Sequence, residues 1–303
     1  LHTAYRRQRQ MCIRDSHLVY VPYKVCSGDV KDIYCMTPGV QNAWRVFVQS
    51  ERVRKTYIKY QNPDKIVVTG SPKIDAVIES IKNPPELPLA WKRALRGKKV
   101  FLLNTHLNPL INDGEKAIEE IRHLMKIFES RYDAAILWRP HPLSIETIKS
   151  MNPGILKDYQ MVISEFERLE NGIYDDSNSP HLALAVADGY IGNWSSLVTM
   201  FGITGKPVYI RNIALQESKR NKMDLMSEKG VQQLENAAKD QRLQTVYLEK
   251  NVEPEMFIDA IVAGIDPLKK YRKNEFQEIV FEADEKAGEL IWKNVWQDLW
   301  QDE

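Results

Sequence analysis

Four short stretches of this 303-residue chain carry residue types that handle phosphate. The richest is Gly192-Asn193-Trp194-Ser195-Ser196. A glycine turn and two hydroxyls at the head of an apolar helical segment set side-chain donors beside unpaired backbone N–H groups, at the positive end of the helix dipole. Taken alone, such a serine is more often only a helix cap. The second stretch is Arg139-Pro140-His141-Pro142. Arg139 offers a permanent charge and a donor fork that fits phosphate. His141 can donate a hydrogen bond and, once protonated, a charge. The prolines fix the backbone around it. Arg139 and His141 are therefore the catalytic candidates. The third stretch is Asn104-Thr105-His106, with Thr105 the candidate and His106 read as its neighbour only. The fourth is Thr69-Gly70-Ser71, with Asp75 just beyond. His123, in a helical run, and His181, in a Ser/Asn-rich loop, read as ordinary surface residues.

Each stretch follows a short β-rich run, at 65–69, 100–103, 134–138 and 188–191. Further strands are expected at 18–23, 44–48, 161–164, 208–210 and 245–248. The run at 65–69 lacks polar alternation, as a strand buried on both faces does. Helices are expected at 51–60, capped by Ser50, and from the turn at 70–73 to about 81. Another is expected at 115–131, where Ile118, Ile121, Leu124, Met125 and Phe128 share a face. The end of the chain, from 257, reads as helical. Strands and helices alternate, which predicts α/β architecture with mostly parallel sheets. In such sheets ligands bind outside the carboxyl ends of the strands, where all four stretches fall. Asn83 and the prolines that follow it form the best linker. Trp292, Trp296 and Trp300 lie at i, i+4 and i+8. That stripe reads as core packing, because the acidic residues Glu289, Asp298, Asp302 and Glu303 suit an anionic membrane poorly.

Composition narrows the class. Hydrophobic residues make up 43% and charged residues 27%, with a net charge of +1. No global field favours nucleic acid. No apolar run reaches the roughly 18 residues of a membrane span. Cys12, Cys26 and Cys35 lack CxxC spacing, so neither a disulfide framework nor a bound metal is expected, and a reducing cytoplasm is the natural setting. Residues 1–16, with Arg6, Arg7, Arg9 and Arg14, show no apolar period and resemble translated sequencing-adapter read-through, a non-native segment.

The motifs taken in order resemble the CDP-glycerol glycerophosphotransferase family of teichoic-acid-type polymerases. A G-x-P-R-x-D element is matched by Gly70-Ser71-Pro72-Lys73-Ile74-Asp75, and P-T-x-R by Asn104-Thr105-His106-Leu107. R-x-H-P is matched by Arg139, His141 and Pro142, and D-Y-S-S by Asn193-Trp194-Ser195-Ser196, followed by Lys206-Pro207-Val208. The resemblance implies a GT-B fold of two Rossmann-like domains. Residues 17–82 would be the remnant of an acceptor-side domain, with 83–98 as linker. The donor-nucleotide domain would be 99–266, and 267–303 would be helices packing back on the first domain. It implies transfer of glycerol phosphate, or a related polyol phosphate, from a CDP-polyol to a lipid-linked or glycan acceptor, at the inner face of the cell membrane, with peripheral membrane contact and no nucleic acid partner. Arg139, His141, Ser195, Ser196, Asn193, Gly192 and Thr105 would hold the donor diphosphate and nucleotide, with no metal or other cofactor assigned. Gly70, Ser71 and Asp75 would line the acceptor side. The chain departs from the family at Lys73, Leu107 and Asn193, and 20–28 lacks the family's His, the expected base. Two alternatives stay open. One is a GT-B glycosyltransferase using a nucleotide sugar, with Glu217 or Glu228 on the sugar hydroxyls. The other is a non-catalytic nucleotide- or glycan-binding relative.

Overall fold

The computed structural model describes residues 17–26, 30–211, 222–239, 246–272 and 284–300. The segment 1–16 and Glu217 lie outside them. The chain divides into two units, one of residues 1–75 with 277–303, the other of residues 76–276.

The smaller unit holds a three-stranded parallel sheet, β1 (Val19–Tyr20), β2 (Arg45–Val48) and β3 (Ile66–Val68), in that order. Val46 and Val48 are fully buried against Val40, Val53 and Tyr57. Ser50 caps the helix Glu51–Tyr57 by accepting from the Val53 N–H, as its position before that helix predicts. The helix Ala287–Trp300 belongs to this unit and is tied to it near both ends. Asp75 accepts the Ala287 N–H at 2.6 Å, and Arg45 pairs with Asp298 at 2.7 Å. At Trp292 and Trp296 the tryptophan stripe is not core. Trp292 is 63% and Trp296 50% exposed, and their rings lie 5.6 Å apart. Ala287, Ile291 and Val295 are better covered, and Trp292 and Trp296 fall on another face of the same helix.

The larger unit holds six parallel strands: β4 (Lys99–Thr105), β5 (Ala134–Pro140), β6 (Gly172–Tyr174), β7 (Gly189–Gly192), β8 (Val208–Ile210) and β9 (Tyr247–Leu248). Their spatial order is β6-β5-β4-β7-β8-β9. The chain winds outward from β4 to β6, returns to β7, and winds outward the other way. This is the doubly wound order with its reversal between β4 and β7, the place where such sheets bind ligands. β5 is buried along its whole length, which explains the unbroken apolar run at 134–138 within it. The helix Gly114–Glu129 covers the sheet with Ile118, Ile121, Leu124, Met125 and Phe128, all buried. Phe257 packs against Phe101, Tyr209 and Tyr247 with ring centroids 5.1–6.0 Å apart.

One expected strand is wrong. Residues 161–164 lie inside the helix Leu156–Phe166, whose Tyr159, Val162 and Phe166 are buried at helical spacing. A run of three apolar residues, Met161 to Ile163, fits either period, and only the longer window separates them. The true strand, β6, is three residues long and went unread. Among the described residues no helix is long and apolar enough to cross a membrane.

Candidate functional site

The reversal point is built from β4 and β7, which pair in parallel with Gly192 opposite Asn104. A Cβ at Gly192 would fall 2.3 Å from the Asn104 backbone oxygen, so only glycine fits there. Asn104 is buried and joins three strand ends. Its Nδ2 donates to the Arg139 carbonyl on β5 at 2.9 Å. Its Oδ1 accepts from the hydroxyls of Tyr190 and Ser195, each at 3.0 Å. Tyr190 also reaches the Asn193 carbonyl at 3.1 Å, and burial pushes its phenol above the ordinary range. The Asn193 Oδ1 in turn accepts the His106 N–H at 3.4 Å. The loop after β7 is thus pinned to β4 on both sides of Trp194.

Ser195 caps the helix Ser196–Gly202 by accepting the Leu197 N–H at 3.2 Å. A hydroxyl has one proton, and that of Ser195 goes to Asn104. Ser195 therefore shapes the loop, and the next residue is the available donor. Ser196 is exposed, and its hydroxyl makes no hydrogen bond among the described residues.

Two imidazoles meet beside this loop. His106 and His141 lie at the ends of β4 and β5 with ring centroids 6.0 Å apart. The Nδ1 of His106 accepts the Asn108 N–H at 3.3 Å, and that of His141 accepts the Leu143 N–H at 3.1 Å. With Nδ1 an acceptor, each neutral ring carries its proton on Nε2 and can donate from there. Burial first, and then His106, lowers the pKa of His141 below the ordinary value. The sequence reading placed His141 here but passed over His106. Its signal was the strand end it shares with Thr105. Thr105 itself accepts from Trp138 Nε1 at 3.1 Å.

Arg139 has a different occupation from the one expected. It is 6% exposed, and its guanidinium is held by Asp175 at 2.6 Å and by the Ser177 hydroxyl and carbonyl at 3.1 and 2.7 Å. Its fork is largely filled by the loop after β6, so here it fastens that loop and is not an open phosphate donor. Lys206 likewise closes the helix His181–Val186, donating to the carbonyls of Ala185 and Ala187 at 2.9 and 2.6 Å. Cations suit helix C-termini. A second buried cation was not foreseen. Arg211, at the end of β8, pairs with Glu120 at 3.3 Å and Glu249 at 3.5 Å. Burial is the main cause that raises the Glu120 pKa. A cavity of about 320 Å³, open mouth included, lies here, lined in part by Asn104, Thr105, His106, Glu120, Asn193 and Arg211.

In the smaller unit, Gly70 and Ser71 line a separate cavity of about 330 Å³, open mouth included, with Lys24, Cys26 and Gln49. Gly70 takes a positive φ of 84°, which its lack of a Cβ allows. Asp75 is occupied as the helix cap described above. Glu228 opens the helix Glu228–Lys239.

No protein-family model matches the chain, and no curated protein sequence does. Solved structures do. The wall teichoic acid polymerase TagF superposes with a TM-score of 0.52 at 14% identity, over 85% of this chain and 60% of that one. An S. aureus MnaA–UDP co-structure gives 0.55 at 13%, over 98% and 80%. The Methanocaldococcus jannaschii UDP-GlcNAc 2-epimerase, in complex with UDP-GlcNAc and UDP, gives 0.52 at 14%, over 95% and 78%. The chain thus spans about three fifths of the polymerase's length. At these identities the likeness shows the fold, a GT-B-like α/β architecture with parallel sheets; the alternation of strands and helices predicts the parallel α/β part, and the motif resemblance implies the GT-B part.

Proposed function

We propose that residues 76–276 bind the diphosphate of an activated nucleotide at the β4/β7 reversal, and that the protein transfers a polyol phosphate from a CDP-polyol to a hydroxyl acceptor. The observation that carries this is the pairing of His106 and His141 at the ends of neighbouring parallel strands, ring centroids 6.0 Å apart, with the His106 N–H tied to the loop that leads to Ser196. Order and spacing of the motifs supply the CDP-polyol part of the reading.

In that reaction the acceptor oxygen forms a bond to the phosphorus that bears the polyol. The bond from that phosphorus to the bridging oxygen breaks, and CMP departs with the electron pair. Negative charge grows on CMP as it leaves, and the Nε2–H donors and Ser196 are suited to meet it. The hydroxyl proton passes to a base. In the tautomer described neither imidazole is that base, since each Nε2 already carries a proton.

The similarity to UDP-bearing structures favours one second reading, a nucleotide-sugar enzyme using the same diphosphate site. The test is release of CMP from CDP-glycerol, and of UMP or UDP from UDP-GlcNAc, with a lipid-linked glycan acceptor present or absent. Acceptor-dependent CMP release that collapses in His141→Ala and Ser196→Ala supports the phosphotransferase. Turnover of UDP-GlcNAc alone would replace it with the second reading. Binding without turnover of either would make the chain a nucleotide-binding protein.

A further inference from the structure

Trp194 stands out in this loop as a large apolar ring left exposed between two hydrogen-bonded neighbours. It is 45% exposed and directly follows Asn193, which lines the cavity at the reversal. The residues on either side of it are fixed, Asn193 by Tyr190 and the His106 N–H, and Ser195 by Asn104. The indole is therefore held on a backbone with little freedom, beside donors suited to phosphate. An exposed tryptophan gains most when a flat or C–H-rich ring covers it, and ordering it costs little because it has only two side-chain torsions. Polar contacts at the site select for phosphate and cannot by themselves tell a nucleotide from inorganic diphosphate.

Resting on the nucleotide-diphosphate reading above, we propose that Trp194 is a stacking platform for a ring carried next to the phosphates, so that the site selects ring-bearing diphosphates over bare ones. The ring is either the nucleobase or a sugar. Both present the same kind of face, and the experiment separates them.

Affinities of the full chain and of Trp194→Ala and Trp194→Phe would be measured by calorimetry for pyrophosphate, CDP and UDP-GlcNAc. Trp194→Ala is expected to weaken the ring-bearing ligands about tenfold or more, to leave pyrophosphate unchanged, and to be largely rescued by Phe. Loss for CDP places the base on Trp194, and loss for UDP-GlcNAc alone places the sugar there. An equal loss for pyrophosphate, or no loss for any ligand, overturns the inference while the site stands. A parent protein that binds neither CDP nor UDP-GlcNAc overturns the functional reading and this inference with it.

Discussion

The Ser195 hydroxyl donates to Asn104 Oδ1 at 3.0 Å, across 91 residues of sequence, so its proton is engaged within the fold. The two adjacent serines thereby separate into a structural and a binding residue. Ser195→Ala removes a helix cap and leaves half of the Asn104 carbonyl's partners missing. It is expected to lower stability by about 1–2 kcal/mol in urea denaturation. Ser196→Ala is expected to stay within about 0.5 kcal/mol of the parent and to lose nucleotide affinity. The opposite pattern would reverse the assignment.

Arg139 and Asp175 form a pair that is 7% and 2% exposed at the side chains. Removing one partner strands a buried charge. Asp175→Ala is therefore expected to cost about 3–5 kcal/mol, whereas Arg139→Met combined with Asp175→Leu recovers most of that loss. Thermal unfolding of the three variants checks both. A mild Asp175→Ala would mean that Arg139 can reach solvent or a ligand after all.

For His141 the folded pKa lies below the unfolded value near 6.5. Between the two the unfolded chain binds more protons, so stability falls as pH drops below about 6.5. His141→Gln should flatten that part of the stability–pH curve, measured by urea unfolding at pH 5.5 and 7.5. A bound diphosphate favours the protonated ring, so nucleotide binding at pH 6 should take up protons, seen as a buffer-dependent heat that His141→Gln reduces.

The helix Ala287–Trp300 offers a contrast within one element. Asp75→Ala removes its cap and is expected to cost about 1 kcal/mol, with Asp75→Asn retaining most of it. Trp292→Ser, at an exposed position, is expected to change stability by less than about 0.5 kcal/mol. A large loss at Trp292 would show that something covers that face in solution.

Much of this protein is legible in its sequence by itself. Unbroken apolar runs such as 134–138 report strands buried on both faces, and the helical face of Ile118, Ile121, Leu124 and Phe128 reports what covers them. Their alternation determines a parallel α/β fold, and with it the end of the sheet where polar residues gather. Local caps are equally legible, because Ser50 and Ser195 act within three residues of themselves. Tertiary structure decided the rest, since it depends on side chains far apart in the chain. Only strand order puts β7 beside β4, and only that neighbourhood hands the Ser195 proton to Asn104 and brings His106 to His141. Only the loop after β6 turns Arg139 from an expected phosphate donor into a buried fastener. The carboxylate of Asp75 is matched to a helix 212 residues away, and Arg211 to Glu120 and Glu249 on other elements. Periodicity records which face of an element is buried. It does not record which partner a polar group meets, because that is set by the order in which the strands assemble.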